Sequence, residues 1–401
     1  MMPQQLPTIP LLLLLIMPLC LQAKWKHHTI DNTSKGADGV RFMDINGDKH
    51  PDIVTGWEEG GVIRIYTNPG KNPQAEKWGI QTIAKVKSPE DAVFVDLDND
   101  GYVDVVSSCE GGNRTVYAHW APKEPGGEWV TEPFPATIKK QAFMFALPMD
   151  IDGQNGIDLI IGAKGKGSGV GWLRSPENPR ELDKWTYQML IPTSWIMTIE
   201  AHDMDADGDL DVLVSDRKGP NSRVLWLENP GKVANRNNPK WKDHTIGAVG
   251  KEVMFIDYAD INEDGRKDII APIKPRTIQL LLQPCKPGAS WETHSIQFPA
   301  DKYGTAKSAR AAYLDGDGKI DIAVTCEHAN GALSGCFYLS FDKSPMDAAW
   351  KDTDIGGPVG LKYDLIELID IDGDGDLDLF SCEERDQLGV FWYENPTNPM
   401  Y

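Results

Sequence analysis

Cysteine is scarce, with 6 in 401 residues, and no Cys-x-x-Cys or His-x-x-x-His spacing occurs. Zinc-ribbon, zinc-finger and dithiol redox readings are therefore excluded. Positive charge is in deficit: 40 bases stand against 60 acids, for a net charge of −20. That balance disfavours nucleic acid and anionic membrane surfaces as partners. The apolar stretch among the first residues is too short and proline-broken to span a bilayer, and no other stretch is long and apolar enough to do so. A 3.6-residue apolar period is missing throughout, which argues against helices. No nucleophile elbow, Ser-His-Asp set or phosphate loop is recognisable either, so the common hydrolase and nucleotide-binding signatures are absent.

Residues 1–23 read as a secretory signal. Leu11 to Ile16 form a short apolar core, and Ala23 would be the last residue removed. Met17-Pro18-Leu19 before Cys20 lacks the small residues that a lipidation site prefers. The expectation is a secreted, periplasmic or cell-surface protein whose residues 24–401 form one domain. Cys326 and Cys336 flank a predicted hairpin, where a disulfide or two buried thiols would both suit an exported chain. Cys109 and Cys382 hold the same repeat position as Cys326 and read as small core residues.

What is abundant is aspartate at fixed spacing. Asp370-Ile-Asp372-Gly-Asp374-Gly-Asp376-Leu-Asp378 places carboxylates at positions 1, 3, 5, 7 and 9 of one short loop. The same loop starts at residues 44, 96, 150, 203, 260 and 313, at intervals of 52 to 57 residues. A second marker recurs with it. Trp25, Trp78, Trp129, Trp185, Trp241, Trp291 and Trp350 each open a short strand 18 to 22 residues before a loop. Repeats of this length, each with four strand-like segments, predict an all-β fold: a seven-bladed β-propeller of four-stranded blades. The Trp25 strand is left without a blade of its own and would complete the last one, closing the ring.

The loops resemble the Asp-x-Asp/Asn-x-Asp-Gly-x-x-Asp pattern of FG-GAP (VCBS-type, integrin-α-like) propeller repeats. That resemblance, with the preference of Ca²⁺ for six to eight oxygens, implies structural calcium ions. Side chains at 1, 3, 5 and 9 would hold each one, with the carbonyl at 7. The sets are Asp44, Asn46, Asp48 and Asp52; Asp96, Asp98, Asp100 and Asp104; and Asp203, Asp205, Asp207 and Asp211. Asp260, Asn262, Asp264 and Asp268 follow, then Asp370, Asp372, Asp374 and Asp378. The third loop has Asp150, Asp152 and Asp158, with neutral Gln154 at position 5. The sixth has Tyr313 at position 1, leaving Asp315, Asp317 and Asp321. Polar Asx turns without a metal are the alternative. EF-hands are excluded, because no helix flanks a loop and position 12 carries no Glu.

Chemistry other than calcium would lie on the opposite face, where the innermost strands begin and the second and third strands turn. Acids, bases and aromatics converge there. They suit a carbohydrate or an extracellular protein bound by a monomer, or simply a solvated rim. A β-eliminating lyase or sugar dehydratase on the same scaffold would need a base such as His328 or Tyr363. It would also need a charge stabiliser such as Arg217, Lys164 or Arg310. His202 reads as packing beside a loop, and His28, His244 and His294 as blade packing.

Overall fold

A computed structural model describes residues 24–397, except residues 125, 238, 287 and 348. The signal sequence and Cys20 lie outside the described residues. Every blade is a four-stranded antiparallel sheet, and there are seven. Blade 1 comprises Ala37–Met43, Asp52–Trp57, Val62–Thr67 and Gly79–Lys85, from the axis outward. Blades 2 to 6 repeat that order. Blade 7 takes Glu367–Ile369, Asp378–Glu383 and Gly389–Glu394 from the end of the chain and Lys26–Asp31 from its start. Lys26 pairs with Glu394 and His28 with Trp392, so the ring is closed by backbone hydrogen bonds, as the leftover Trp25 strand predicts.

The burial of each strand follows from its place in the blade. Second strands such as Asp52–Trp57, Asp211–Asp216 and Asp378–Glu383 are buried along their whole length, because neighbouring blades cover both faces. Outer strands such as Glu292–Gln297 keep mostly exposed, polar residues. Apolar clusters fill the gaps between blades. Each fully buried Ile, Leu or Phe there contributes about 1.5–3 kcal/mol. The repeated outer histidines stack on aromatic residues. His28 lies flat on Trp392 at 4.3 Å and His244 on Trp226 at 4.2 Å.

One expectation needs correction, and one open alternative is decided. A helix does form, Lys232–Asn237, after the third strand of blade 4. Six residues leave no room for an apolar period; contacts with blade 3 hold it instead. Cys326 and Cys336 do not form a disulfide. Thr325 is the residue opposite Cys336, so the two cysteines alternate onto opposite sheet faces. Cys326 packs in the core with Tyr303 and Phe337, and Cys336 packs with Tyr338 and Tyr363 across the blade.

The innermost strands share one irregularity. In blades 2, 3, 4 and 6 the pairing skips a residue near the start of the strand, leaving Glu90, Met144, Met197 and Lys307 as bulge residues. A bulge re-aims the side chain of its extra residue. All four line the same small cavity on the ring axis.

Candidate functional site

The Asp loops join the first and second strands of each blade at one end of the ring. Asp52, Asp104, Asp158, Asp211, Asp268, Asp321 and Asp378 close them and are all buried. Most use one carboxylate oxygen for the N–H at loop position 2 and the other for an N–H after the third strand. Asp378, for example, accepts from Ile371 at 3.2 Å and from Asn395 at 2.9 Å. Position 9 is therefore also a staple across three strands. Position 1 folds the loop on itself: Asp370 accepts from Gly373 at 2.8 Å and Gly375 at 3.1 Å. Burial pushes Asp104, Asp158, Asp211 and Asp321 up to about 7 and Asp378 up to about 8.

The donor sets fit a hard cation. In the loops opening at Asp96, Asp150 and Asp203, carboxylate oxygens from positions 1, 3 and 9 lie within 4.8 Å of one another. In the seventh loop Asp376 is only 7% exposed, and neither of its oxygens accepts a hydrogen bond from an N–H or hydroxyl. Burial and then Asp374 and Asp378 push Asp376 up to about 8. Bases reach several loops: Arg180 contacts Asp98 and lies 3.7 Å from Asp100 in the second, and Arg266 contacts Asp264 in the fifth. The third is covered most fully. Lys232 Nζ lies 2.7 Å from Asp150, and Arg174 lies 2.5 Å from Asp152. Arg236 donates to the carbonyl of Asp152 at 2.7 Å, and Asn235 to that of Ile151 at 3.1 Å. Lys232, Asn235 and Arg236 all belong to the unexpected helix.

The opposite end of the axis carries a funnel of two connected cavities. The larger, about 680 Å³, is faced by five bases, Arg217, Lys218, Lys274, Lys362 and Arg385, and by two carboxylates, Glu252 and Glu327. His328 and Asn330 complete its wall. Glu252 accepts from Arg217 at 2.7 Å and lies 3.4 Å from Lys218. Glu327 contacts Lys274. Among the described residues, no carboxylate lies within ion-pair distance of Arg385. His328 is exposed, in the left-handed region at φ 57, with Nδ1 3.0 Å from Thr305 Oγ1. Burial, then Lys274 and Arg385, lower its pKa. A neutral imidazole is thus favoured near pH 7.

The smaller cavity is the bulge-lined pit on the axis, about 200 Å³, sharing Arg217, Glu327 and Lys362 with the larger one. Besides Glu327 of blade 6, its acids come from blades 1, 2 and 7: Asp38, Glu58, Glu90, Glu110 and Asp364. Lys164 bridges Glu90 and Glu110, and Lys307 lies 3.0 Å from Asp364. Trp195 has Lys164, Arg217 and Lys218 within 5.0 Å of its ring centroid. Acids therefore outnumber bases in the pit, whereas bases outnumber acids in the larger cavity.

The structure brings together His328 and Arg217 at the larger cavity, with Lys164 at the adjoining pit. It places Tyr363 and Arg310 elsewhere. Tyr363 is fully buried within a blade, and its hydroxyl donates to Val359 O at 2.8 Å and meets Tyr393 Oη at 2.9 Å. Burial and Tyr393 push its phenol far up, so it serves as packing and not as a base. Arg310 sits deeper in the channel, 3.2 Å from both Glu200 and Asp257 and bonded to the carbonyl of Ile366. Its charge is committed to joining the innermost strands. His202 meets Glu200 at 3.1 Å and packs on Tyr258. Sequence reasoning places Lys274, Glu252, Glu90 and Lys307 among the funnel-lining segments, but it misses Met144 and Met197 and the bulges that turn all four inner-strand residues into the pit. The bulges leave no motif, but the bases cluster in the turn between the second and third strands.

Residues 44–107 match the family model of the FG-GAP-like repeat. That match covers the first two Asp loops, and the same loop recurs around the seven-bladed ring. No curated protein sequence matches the chain. Two solved structures share the architecture across nearly their whole lengths. BBS1N, crystallised in complex with ARL6DN, is 10% identical with a TM-score of 0.51, over 94% of this chain and 98% of that one. YCF48 from Cyanidioschyzon merolae is 11% identical with a TM-score of 0.54, over 93% and 99%. At such identities the likeness is one of fold.

Proposed function

We propose that this is a secreted, calcium-stabilised propeller whose funnel binds an anionic carbohydrate. The observation that carries this reading is the larger cavity, where five bases face two carboxylates on a protein that is acidic overall. Such a local reversal of sign draws in anions and rejects cations. Arg385, with no carboxylate partner among the described residues, supplies a planar fork for a uronate carboxylate or a sulfate. Thr305 and Asn330 offer neutral polar groups for sugar hydroxyls. Calcium would rigidify the opposite end of every blade and so hold the funnel's geometry.

The test is titration calorimetry with matched acidic and neutral oligosaccharides. Acidic ligands should bind, neutral ones should not, and affinity should fall as salt is raised. Arg385→Ala should weaken binding by about tenfold or more, given about 1.5–3 kcal/mol for a charged hydrogen bond. Equal affinity for neutral and acidic ligands would discard the reading.

A second reading has one specific observation behind it. His328, held neutral, faces the same cavity as Arg217, Lys274 and Arg385. A uronate seated there would present its C5 proton to a base and its carboxylate to cations, the needs of β-elimination. His328 would take the C5 proton, a C4–C5 double bond would form and the C4–O bond would break, the departing glycosidic oxygen taking a proton from the imidazolium or from water. Incubation with acidic polysaccharides, followed by ultraviolet absorbance, decides it. Absorbance growth that disappears in His328→Ala supports the lyase; none supports binding alone.

A further inference from the structure

We propose that the axial pit holds a divalent cation between Asp38, Glu58 and Glu90, separate from the Asp loops at the other end of the ring. Oxygens of these three carboxylates lie within 4.8 Å of one another. That is the separation of opposite ligands around an ion bound at about 2.4 Å. Asp38 is shared with a second such set, completed by Asp364 and Glu384.

The hydrogen bonding points to a ligand independently of the spacing. Asp38 is only 6% exposed and faces the pit. Among the described residues, no N–H donates to it, no base lies within ion-pair distance, and the neighbour it hydrogen-bonds with is another carboxyl, that of Asp364. The groups that act on it most strongly are the carboxylates of Asp364, Glu384 and Glu90. Glu384 is likewise more than nine-tenths buried, and its Oε1 accepts no hydrogen bond. A buried acid surrounded by acids needs a proton or a cation.

The bases present do not fill that need. Lys164 is taken up by Glu90 and Glu110, Lys307 by Asp364 and Lys362 by Glu384. Asp38 and Glu58 remain without a base within ion-pair distance. Their two charges match one divalent ion. All donors are carboxylate oxygens, which selects a hard ion such as Ca²⁺, Mg²⁺ or Mn²⁺ over zinc or copper. The opening toward the larger cavity leaves room for water or a ligand oxygen on the ion. The ion site itself does not depend on the carbohydrate reading.

Mn²⁺ is the probe. Crystals of the wild-type protein soaked in Mn²⁺ should show an anomalous peak within coordination distance of Asp38, Glu58 and Glu90. By electron paramagnetic resonance, the triple variant Asp38→Asn, Glu58→Gln, Glu90→Gln should bind one Mn²⁺ fewer per chain than wild type. Asp370→Asn should leave the pit peak in place. An unchanged count, or an empty pit beside occupied loops, would overturn the proposal in favour of shared protons. If the triple variant fails to fold, the wild-type soak decides alone, a peak supporting the site and its absence refuting it.

Discussion

The third and seventh Asp loops begin from one motif and meet their charge in opposite ways. In the third, Lys232 and Arg174 pair with Asp150 and Asp152, and the Lys232–Asn237 helix covers the loop carbonyls. In the seventh, five aspartates crowd together, and among the described residues no base lies within ion-pair distance of any of them. Asp376 is buried there without an N–H or hydroxyl partner. One loop is closed by its neighbour blade; the other is built to take its positive charge from solution. Gln154 at position 5 of the third loop agrees with this division, since it removes one carboxylate where side chains already bring cations.

Chelation tests that division most severely. Each saturated site adds about 2.7 kcal/mol at a hundredfold excess over Kd. Stripping several ions should therefore lower Tm by roughly 10 °C or more in a calorimetric scan. An identical melt with and without chelator would erase the distinction between the loops.

The pH dependence follows next. Asp376 and Asp378 are held near 8, and Asp104, Asp158, Asp211 and Asp321 near 7, by burial. Their folded values exceed the unfolded one. The stability they contribute is present in full below about pH 4 and is lost as pH rises through 7 to 8. In chelator, Tm should fall between pH 5 and pH 8 by several degrees. With calcium the slope should flatten or reverse, because the ion binds the deprotonated form. A chelated melt that rises with pH would contradict the burial argument.

Asn235→Ala probes the clamp itself. Asn235 is 1% exposed; it donates to Ile151 O and accepts from Trp241 Nε1 at 3.1 Å. Its loss strands buried polar groups and should cost about 1–3 kcal/mol in denaturant unfolding, with or without calcium. A cost seen only in calcium would mean that the third loop depends on metal after all. The smallest effect should come from Lys232→Met, under about 1 kcal/mol without calcium because the pair is largely exposed. Its sharper readout is ion count: freeing Asp150 should raise calcium uptake by the third loop, and an unchanged count would show that Arg174 alone suffices.

Much of the ring was legible because its signals are local. An Asp loop, a Trp strand and an Asn-Pro turn each recur within one blade, and the unpaired Trp25 strand implied closure. The clamp was not legible, since Lys232 and Asp150 are 82 residues apart and no periodicity links them. Cys326 and Cys336 looked like a hairpin pair, but strand alternation sends them to opposite faces. Tyr363 adjoins Lys362 in the chain, yet only Lys362 reaches the cavity.

The amino-acid sequence by itself determined the repeat, the strand order and the acidic loops, because backbone turns and strand alternation depend on near neighbours. Tertiary structure alone decided which carboxylates are neutralised by a base and which are left to an ion. It also gave the pit an excess of acids and the larger cavity an excess of bases. Both outcomes depend on burial and on distances between blades, and neither is encoded in any single repeat.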